Sequence, residues 1–257
     1  MNARPQVWSV TNQKGGVGKT TTAVTLAGLH ALDGKRCLIV DLDPHASASE
    51  YFGLSGTTLF DALQNPAAPI VPLTTSIPGL TLLPACSELA ALGNKSGAAA
   101  GGATGLALKR LVDRLTDIDI VIVDGPPTLG VLMINVIVAA DRMIVPTLTD
   151  PLALRGVASL DQTLKQIERS LGHRAPWTIV ATQVDRRTRS AHEGYSALEQ
   201  QWGTALWDEY IPMDTQLREA SARGQVIEQF APDSRAARAY RHLYRHLTTQ
   251  TAPGNRP

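Results

Sequence analysis

The sequence predicts an α/β fold: a doubly wound, mostly parallel sheet of about seven strands with helices on both faces. Apolar, strand-like runs alternate with helix-like segments along the whole chain, the order that builds a parallel sheet covered by helices. Polar residues and glycines gather where the apolar runs end, as they do at the ligand-binding carboxyl edge of such a sheet. Of the 257 residues, 44% are hydrophobic and only 5% aromatic, so the expected core is large and aliphatic. This length suits one large domain, read here over residues 1–251, with 252–257 as a disordered tail.

The first strand is read at Val7, Trp8 and Val10, directly before a glycine-rich turn. A helical pattern follows over 20–33, carried by Ala23, Leu26, Ala27 and Leu29. Cys37–Val40 reads as a buried strand ending at Asp41, Leu80–Leu83 as one ending at Pro84, and Ile118–Val123 as one ending at Asp124. Met143–Val145, Trp177–Ala181 and Trp207–Ile211 complete the seven. Further helices are expected over 104–115, 153–171, 190–202 and 234–247. Gly93–Gly105 is a low-complexity stretch expected to form a mobile loop.

The bulk numbers exclude several classes. The net charge is +1, so nucleic-acid binding requires a local basic patch. Cys37 and Cys86 have no metal-binding or redox spacing and read as small core residues of a reducing compartment. No apolar run reaches the roughly 18–20 residues of a membrane span, and Met1–Pro5 leads straight into a strand with no secretory signal. A cytoplasmic location is expected.

The stretch Gln13-Lys14-Gly15-Gly16-Val17-Gly18-Lys19-Thr20 joins the first strand to the first helix. Glycines there let the backbone close around phosphate oxygens, and free N–H groups at a helix start favour an anion. Lys19 is placed to reach β- and γ-phosphates, and Thr20 to ligate Mg²⁺. Gly15, Gly16, Val17, Gly18, Lys19, Thr20 and Thr21 are therefore the expected phosphate site. Two carboxylates at i and i+2, Asp41 and Asp43, follow the second strand and can face the same pocket. Asp119–Pro127 reads as an apolar strand delivering Asp124 to the Mg²⁺ shell, followed by the stiff turn Gly125-Pro126-Pro127. Thr20, Asp43 and Asp124 are the candidate metal residues.

The octet departs from the common phosphate loop, with Gln13 where glycine is usual and a second lysine at Lys14. It resembles the deviant Walker A motif K-G-G-x-G-K-[ST] of the ParA/MinD family. The likeness runs from Val10 to Leu247 and includes Leu129–Asn135, Ala153–Gly156, Asp185–Thr188 and Asp233–Arg235. It implies a dimerising, ATP- and Mg²⁺-dependent P-loop ATPase whose hydrolysis is stimulated by a protein partner. It also implies that Lys14 reaches the nucleotide of the other protomer and that Asp43 positions the attacking water. Lys14, Lys19 and Asp43 are thus the catalytic set. The family has glutamine where this chain has His45. Thr182, Pro212, Met213 and Asp214 match segments that flank the adenine.

ParA proteins bind nonspecific DNA as ATP-bound dimers through basic residues late in the chain. Arg187 matches a DNA-contact arginine of the family, Arg189 and Arg218 lie nearby, and Gln216 stands where a second family arginine falls. Val7–Val10, Asp43–Ser47, Tyr51–Gly53 and Tyr210–Ser221 are similar to the ParA-like proteins of bacterial chemotaxis gene clusters. Their implied cargo is a chemosensory array, and the implied partner an array adaptor or a ParB-like protein. Alternatives are a plasmid or chromosome partition ATPase and a MinD-like membrane-associated regulator. The membrane reading rests on the stripe Ala236, Ala239, Tyr240, Leu243, Tyr244 and Leu247. That stripe is rich in Ala and Tyr, so packing on the sheet is the expected use. A metabolic ATPase of metal transport or cofactor assembly would ordinarily carry cysteine ligands, which Cys37 and Cys86 do not supply.

Overall fold

The computed structural model describes residues 4–93, 103–172 and 174–250. Among the described residues, eight strands make one sheet: β1 (Gln6–Val10), β2 (Cys37–Asp41), β3 (Leu73–Thr74), β4 (Leu80–Leu83), β5 (Ile120–Asp124), β6 (Arg142–Thr147), β7 (Trp177–Val184) and β8 (Leu206–Pro212). Their order is β3-β4-β2-β5-β1-β6-β7-β8, with every neighbouring pair parallel except β3 and β4. The chain reverses direction of winding beside β1, so the β1 end faces the crevice where such sheets bind ligands.

Period-two alternation builds the two faces. Along β1 and β5, Trp8, Val10, Ile120 and Ile122 point to one layer. Val7, Val121 and Val123 point to the opposite one. The first layer is closed by the Lys19–Leu32 helix and by the Arg235–Thr249 helix, whose Tyr240, Leu243 and Leu247 are buried. The apolar stripe of that last helix therefore packs inward, and the Tyr240 hydroxyl shares a 3.0 Å hydrogen bond with Thr22. On the far side, Leu132 and Val136 cover β2 and β5, and Val157, Leu160 and Leu198 cover β6 and β7.

The structure departs from the sequence reading in identifiable places. The eighth strand, β3, is two residues long, too short for a periodic signal. Val131–Ala139 is a helix buried on nearly all sides, so it shows no amphipathic period. The helix expected over 104–115 is a 3₁₀ turn at Ala103–Leu106 followed by Ala107–Val112. Most of the Gly93–Gly105 stretch and the whole 252–257 tail lie outside the described residues. Among the described residues, no helix is long and apolar enough to cross a membrane. Both cysteines are unpaired, and burial pushes the Cys37 thiol up.

A buried aromatic stack ties the last helix to the sheet. His30 lies edge-on between Trp8 and Tyr244, each ring centroid 4.8 Å away. Burial pushes its pKa from 6.5 down to about 4, against the pull of Asp33. The imidazole is thus neutral in the fold and takes up a proton more readily when unfolded. Its contribution is complete above pH 6.5 and is lost as pH falls towards 4, a loss of about 3 kcal/mol across the window. Urea unfolding between pH 7 and pH 4.5 should show this loss of stability on acidification, and His30→Phe should flatten that part of the slope. An unchanged slope in His30→Phe would mean that other groups set it.

Candidate functional site

The glycine-rich turn leaves β1 at the centre of the sheet, between β5 and β6. Asn12 anchors it: its Nδ2 donates to the Pro146 carbonyl at 2.8 Å, and its Oδ1 accepts from the Lys14 amide at 3.1 Å. Gly16 and Gly18 sit in the left-handed region at φ 72° and 83°, which a Cβ would strain. Gly18 starts the Lys19–Leu32 helix with no side-chain cap and no acid in the first turn. The first amides of that helix therefore lack intrahelical partners and face the loop with the positive end of the dipole. Gly15 and Gly16 are exposed, while Thr20 and Thr21 are half-buried at the helix start.

Lys19 is buried, and its Nζ donates to the Lys14 carbonyl at 3.0 Å, folding the side chain along the loop. Burial lowers its pKa, opposed by the charges of Asp124 and Asp43. Lys14 runs the other way. Its Nζ pairs with Asp150 at 2.7 and 2.9 Å from the two carboxylate oxygens. Asp150 caps the Pro151–Leu171 helix by accepting from the Ala153 amide at 2.9 Å. Burial opposes its ionisation, but the bonds from Lys14 and Ala153 prevail and hold its pKa below the usual carboxylate value. The exposed side chains Leu129 and Leu152 lie in the segments that follow β5 and Asp150.

Three carboxylates converge at the ends of β2 and β5. Asp41 and Asp124 are register partners on adjacent strands and both are buried. Asp41 is consumed internally: its Oδ2 accepts from the Ser49 amide and hydroxyl at 2.8 and 2.7 Å, and its Oδ1 from the Asp43 amide at 3.3 Å. Burial pushes its pKa up to about 6 despite those bonds. Asp124 differs. Neither of its buried oxygens has a hydrogen-bond partner among the described residues. Burial and then Asp41 drive its pKa well above the carboxylate range, with the Thr20 hydroxyl and Lys19 near enough to oppose. Such an orphan acid takes a proton unless a cation stands beside it. Among the described residues, no group of three or more His, Cys, Asp or Glu side chains is arranged to hold a metal. Asp124 beside Thr20 therefore fits Mg²⁺ that arrives with phosphates and keeps most of its water, the usual way that ion binds. Gly125 follows because a Cβ there would lie 2.9 Å from the Val10 carbonyl. Asp43 is almost buried and accepts from the His45 amide at 3.0 Å and from His45 Nδ1 at 2.9 Å, both at Oδ1.

The residues matched to the adenine divide. Pro212, Met213 and Asp214 line a cavity of about 430 Å³ together with Val184, Tyr210 and Arg235. Asp214 braces its rim, accepting from the amides of Gln216 and Ala236, each at 3.1 Å. Thr182 does not line it. It is buried under the phosphate loop, and its hydroxyl lies 2.9 Å from the Val17 carbonyl and 3.1 Å from that of Thr147. Its place is that of a brace for the loop. Gln183, which no sequence pattern singles out, adds a second brace: its Nε2 donates to the Gly16 carbonyl at 2.7 Å from a left-handed backbone at φ 54°. A polar residue in that strained region is a signal only coordinates supply.

Arg187 and Arg189 stand on the surface, with side chains 88% and 90% exposed, and each already has an acid: Asp185 at 2.7 Å and Glu193 at 2.6 Å. Exposed pairs of this kind are worth little and exchange readily. Arg218 is exposed and has no ion pair among the described residues. Replacement of Thr182 by Val should remove the single hydroxyl donor that the Val17 and Thr147 carbonyls share and weaken ADP binding by about fivefold. Calorimetric titration with ADP and Mg²⁺ checks this; unchanged affinity would show that the brace does not shape the loop.

Comparison with known proteins agrees with this geometry. The family model described as "AAA domain" matches residues 5–175. The chain is 36% identical over 245 residues to the chromosome-partitioning ATPase Soj of Thermus thermophilus, covering 95% of each chain. It is 32% identical to the chromosome partitioning protein ParA of Caulobacter vibrioides, covering 97% of each. Among solved structures, an McdA–ATP complex of Cyanothece superposes with a TM-score of 0.84 at 17% identity, covering 96% of this chain and 98% of the other, and so shares the fold. A cobyrinic acid a,c-diamide synthase from Mycobacterium smegmatis with bound ATP analogue and magnesium gives a TM-score of 0.77 at 29% identity, covering 98% of this chain and 97% of that one. The chain belongs to the Soj/ParA family of P-loop ATPases.

Proposed function

We propose that this ATPase is a two-state positioning switch: ATP joins two protomers through Lys14, the dimer holds nonspecific DNA, and hydrolysis triggered by a protein partner releases it. The observation that carries this reading is the second lysine of the phosphate loop, held at the rim by Asp150 and not turned into its own loop. Exchange of the Asp150 carboxylate for a second protomer's nucleotide would make Lys14 the contact that reports ATP. Exposed Leu129 and Leu152 support an association surface on the same side.

Within the site, Gly15, Gly16, Val17, Gly18, Thr20 and Thr21 would cradle the phosphates, and Lys19 and Lys14 would neutralise charge that builds on the transferring phosphoryl group. Asp43 would orient the attacking water. Thr20 and Asp124 would hold Mg²⁺, with Asp43 beside them; when bound, the ion draws charge from the phosphate oxygens. Pro212, Met213 and Asp214 would border the base in the cavity they line. Arg187 and Arg189 would meet DNA phosphates after leaving their local acids, and Arg218 would meet them directly. The cargo we favour is a chemosensory array, on the sequence likeness of Asp43–Ser47 and Tyr210–Ser221 given above. The names of the relatives favour a chromosome or plasmid segment as the second reading. Either cargo implies a cytoplasmic protein at the nucleoid or the pole.

Binding of random-sequence duplex DNA at several salt concentrations tests the surface. With Asp43→Ala holding ATP, affinity should fall steeply with salt, and Arg187→Ala should reduce the logarithmic slope by about one per protomer. ADP should abolish binding. Salt-independent binding, or none in the ATP state, would turn the search to a protein scaffold.

A further inference from the structure

His45 is the residue of the second motif that the reading above leaves unused. We propose that it is a positioning residue for ATP hydrolysis, pinning one oxygen of Asp43 so that the other is presented to the attacking water. The inference rests on the reading of Asp43 as the group that orients that water.

The geometry is local and one-sided. Asp43 Oδ1 accepts two bonds from the same residue, the His45 amide at 3.0 Å and Nδ1–H at 2.9 Å. With Asp43 ionised, Nδ1 must be the donor. Asp43 Oδ2 has no bond among the described residues. A carboxylate turns about χ2 in a broad well; two donors on one oxygen fix that angle and leave the second oxygen as the free acceptor. The turn around the pair is itself held. The Ala46 amide donates to the Asp43 carbonyl at 2.8 Å, and Ala46 sits in the left-handed region at φ 56°. Such a conformation persists only where neighbours impose it, and here the two Ser49 bonds to Asp41 anchor the short helix that follows.

Structural and positioning roles separate because the two side chains are so differently placed. The Asp43 side chain is 10% exposed and faces the pocket of Lys19 and Asp124, whereas the His45 side chain is 77% exposed. His45 belongs to none of the buried hydrophobic clusters. Removal of the side chain therefore costs the fold little, while Asp43 keeps only the His45 amide bond and turns more freely.

The test is single-turnover hydrolysis by the full chain in excess over ATP with Mg²⁺, for the native sequence, His45→Ala, His45→Phe, His45→Gln and Asp43→Ala. Loss of a charge-assisted bond should slow the rate constant about tenfold in His45→Ala and His45→Phe, with half-saturating ATP within about twofold of native. His45→Gln, whose amide N–H can reach Asp43, should recover to within about threefold of native. The inference is overturned if His45→Ala and His45→Phe turn over like the native chain, if only half-saturation moves, or if His45→Gln is as slow as His45→Phe. Should Asp43→Ala turn over normally, the reading of Asp43 fails and the role of His45 with it. An inactive Asp43→Ala beside unaffected His45 variants removes the His45 role alone.

Discussion

The arrangement at the carboxyl edge depends on an excess of buried negative charge. Asp41, Asp43 and Asp124 meet there with one buried lysine, Lys19. Asp41 is satisfied by Ser49 and the Asp43 amide, and one oxygen of Asp43 by His45, but Asp124 has no bonded partner among the described residues and only partial countercharge. Leaving such a group unpaired is costly in a folded chain. Parallel pairing of β2, β5 and β1 forces the position, because it brings the ends of all three strands to one edge. The sheet thus maintains a destabilised carboxylate at the edge where, on the reading proposed above, a Mg²⁺ ion arriving with the nucleotide would supply positive charge.

The same edge explains why the phosphate loop is so heavily braced. Asn12 ties it to β6, Thr182 and Gln183 bond it from β7, and Lys19 bonds it from within. These contacts connect the loop to the stretch that carries Asp185 and Arg187, only two residues past Gln183 at its start. Lys14 connects it to Asp150 at the head of the long helix. Close behind, Gly194 packs so tightly on Thr149 that a Cβ would lie 1.7 Å from its carbonyl oxygen. Phosphate loop, rim lysine and basic turn are therefore linked by direct contacts, which on the proposed reading would couple nucleotide state to the surface.

Much of this is legible in the sequence. The turn from Gln13 to Thr20, the carboxylate pair Asp41 and Asp43, and Asp124 after a run of Ile and Val all announce strand ends, and the structure puts them together. The parts that escape are those without a local pattern. Val131–Ala139 is apolar but for the buried Asn135 and reads as readily as a strand. The Lys14–Asp150 pair spans 136 positions; only the Asp-Pro start of the long helix hints that Asp150 is a cap. Thr182 reads as a base neighbour because it ends a strand beside the site, yet burial turns its hydroxyl to the loop backbone. The exposed arginines stand out in the sequence, but not the acids that hold them, since Asp185 and Glu193 act through turn and helix geometry.

The central claim, that the fold holds Asp124 for a cation, is tested most directly by thermal unfolding of Asp124→Asn, with and without ADP and Mg²⁺. Removing a buried carboxyl that is disfavoured when ionised and has no hydrogen-bond partner should raise the melting temperature of the nucleotide-free chain by several degrees, while the extra stabilisation that Mg²⁺ gives over ADP with EDTA disappears. A variant that melts lower than the native chain without nucleotide, yet keeps the full Mg²⁺ increment, would contradict the account.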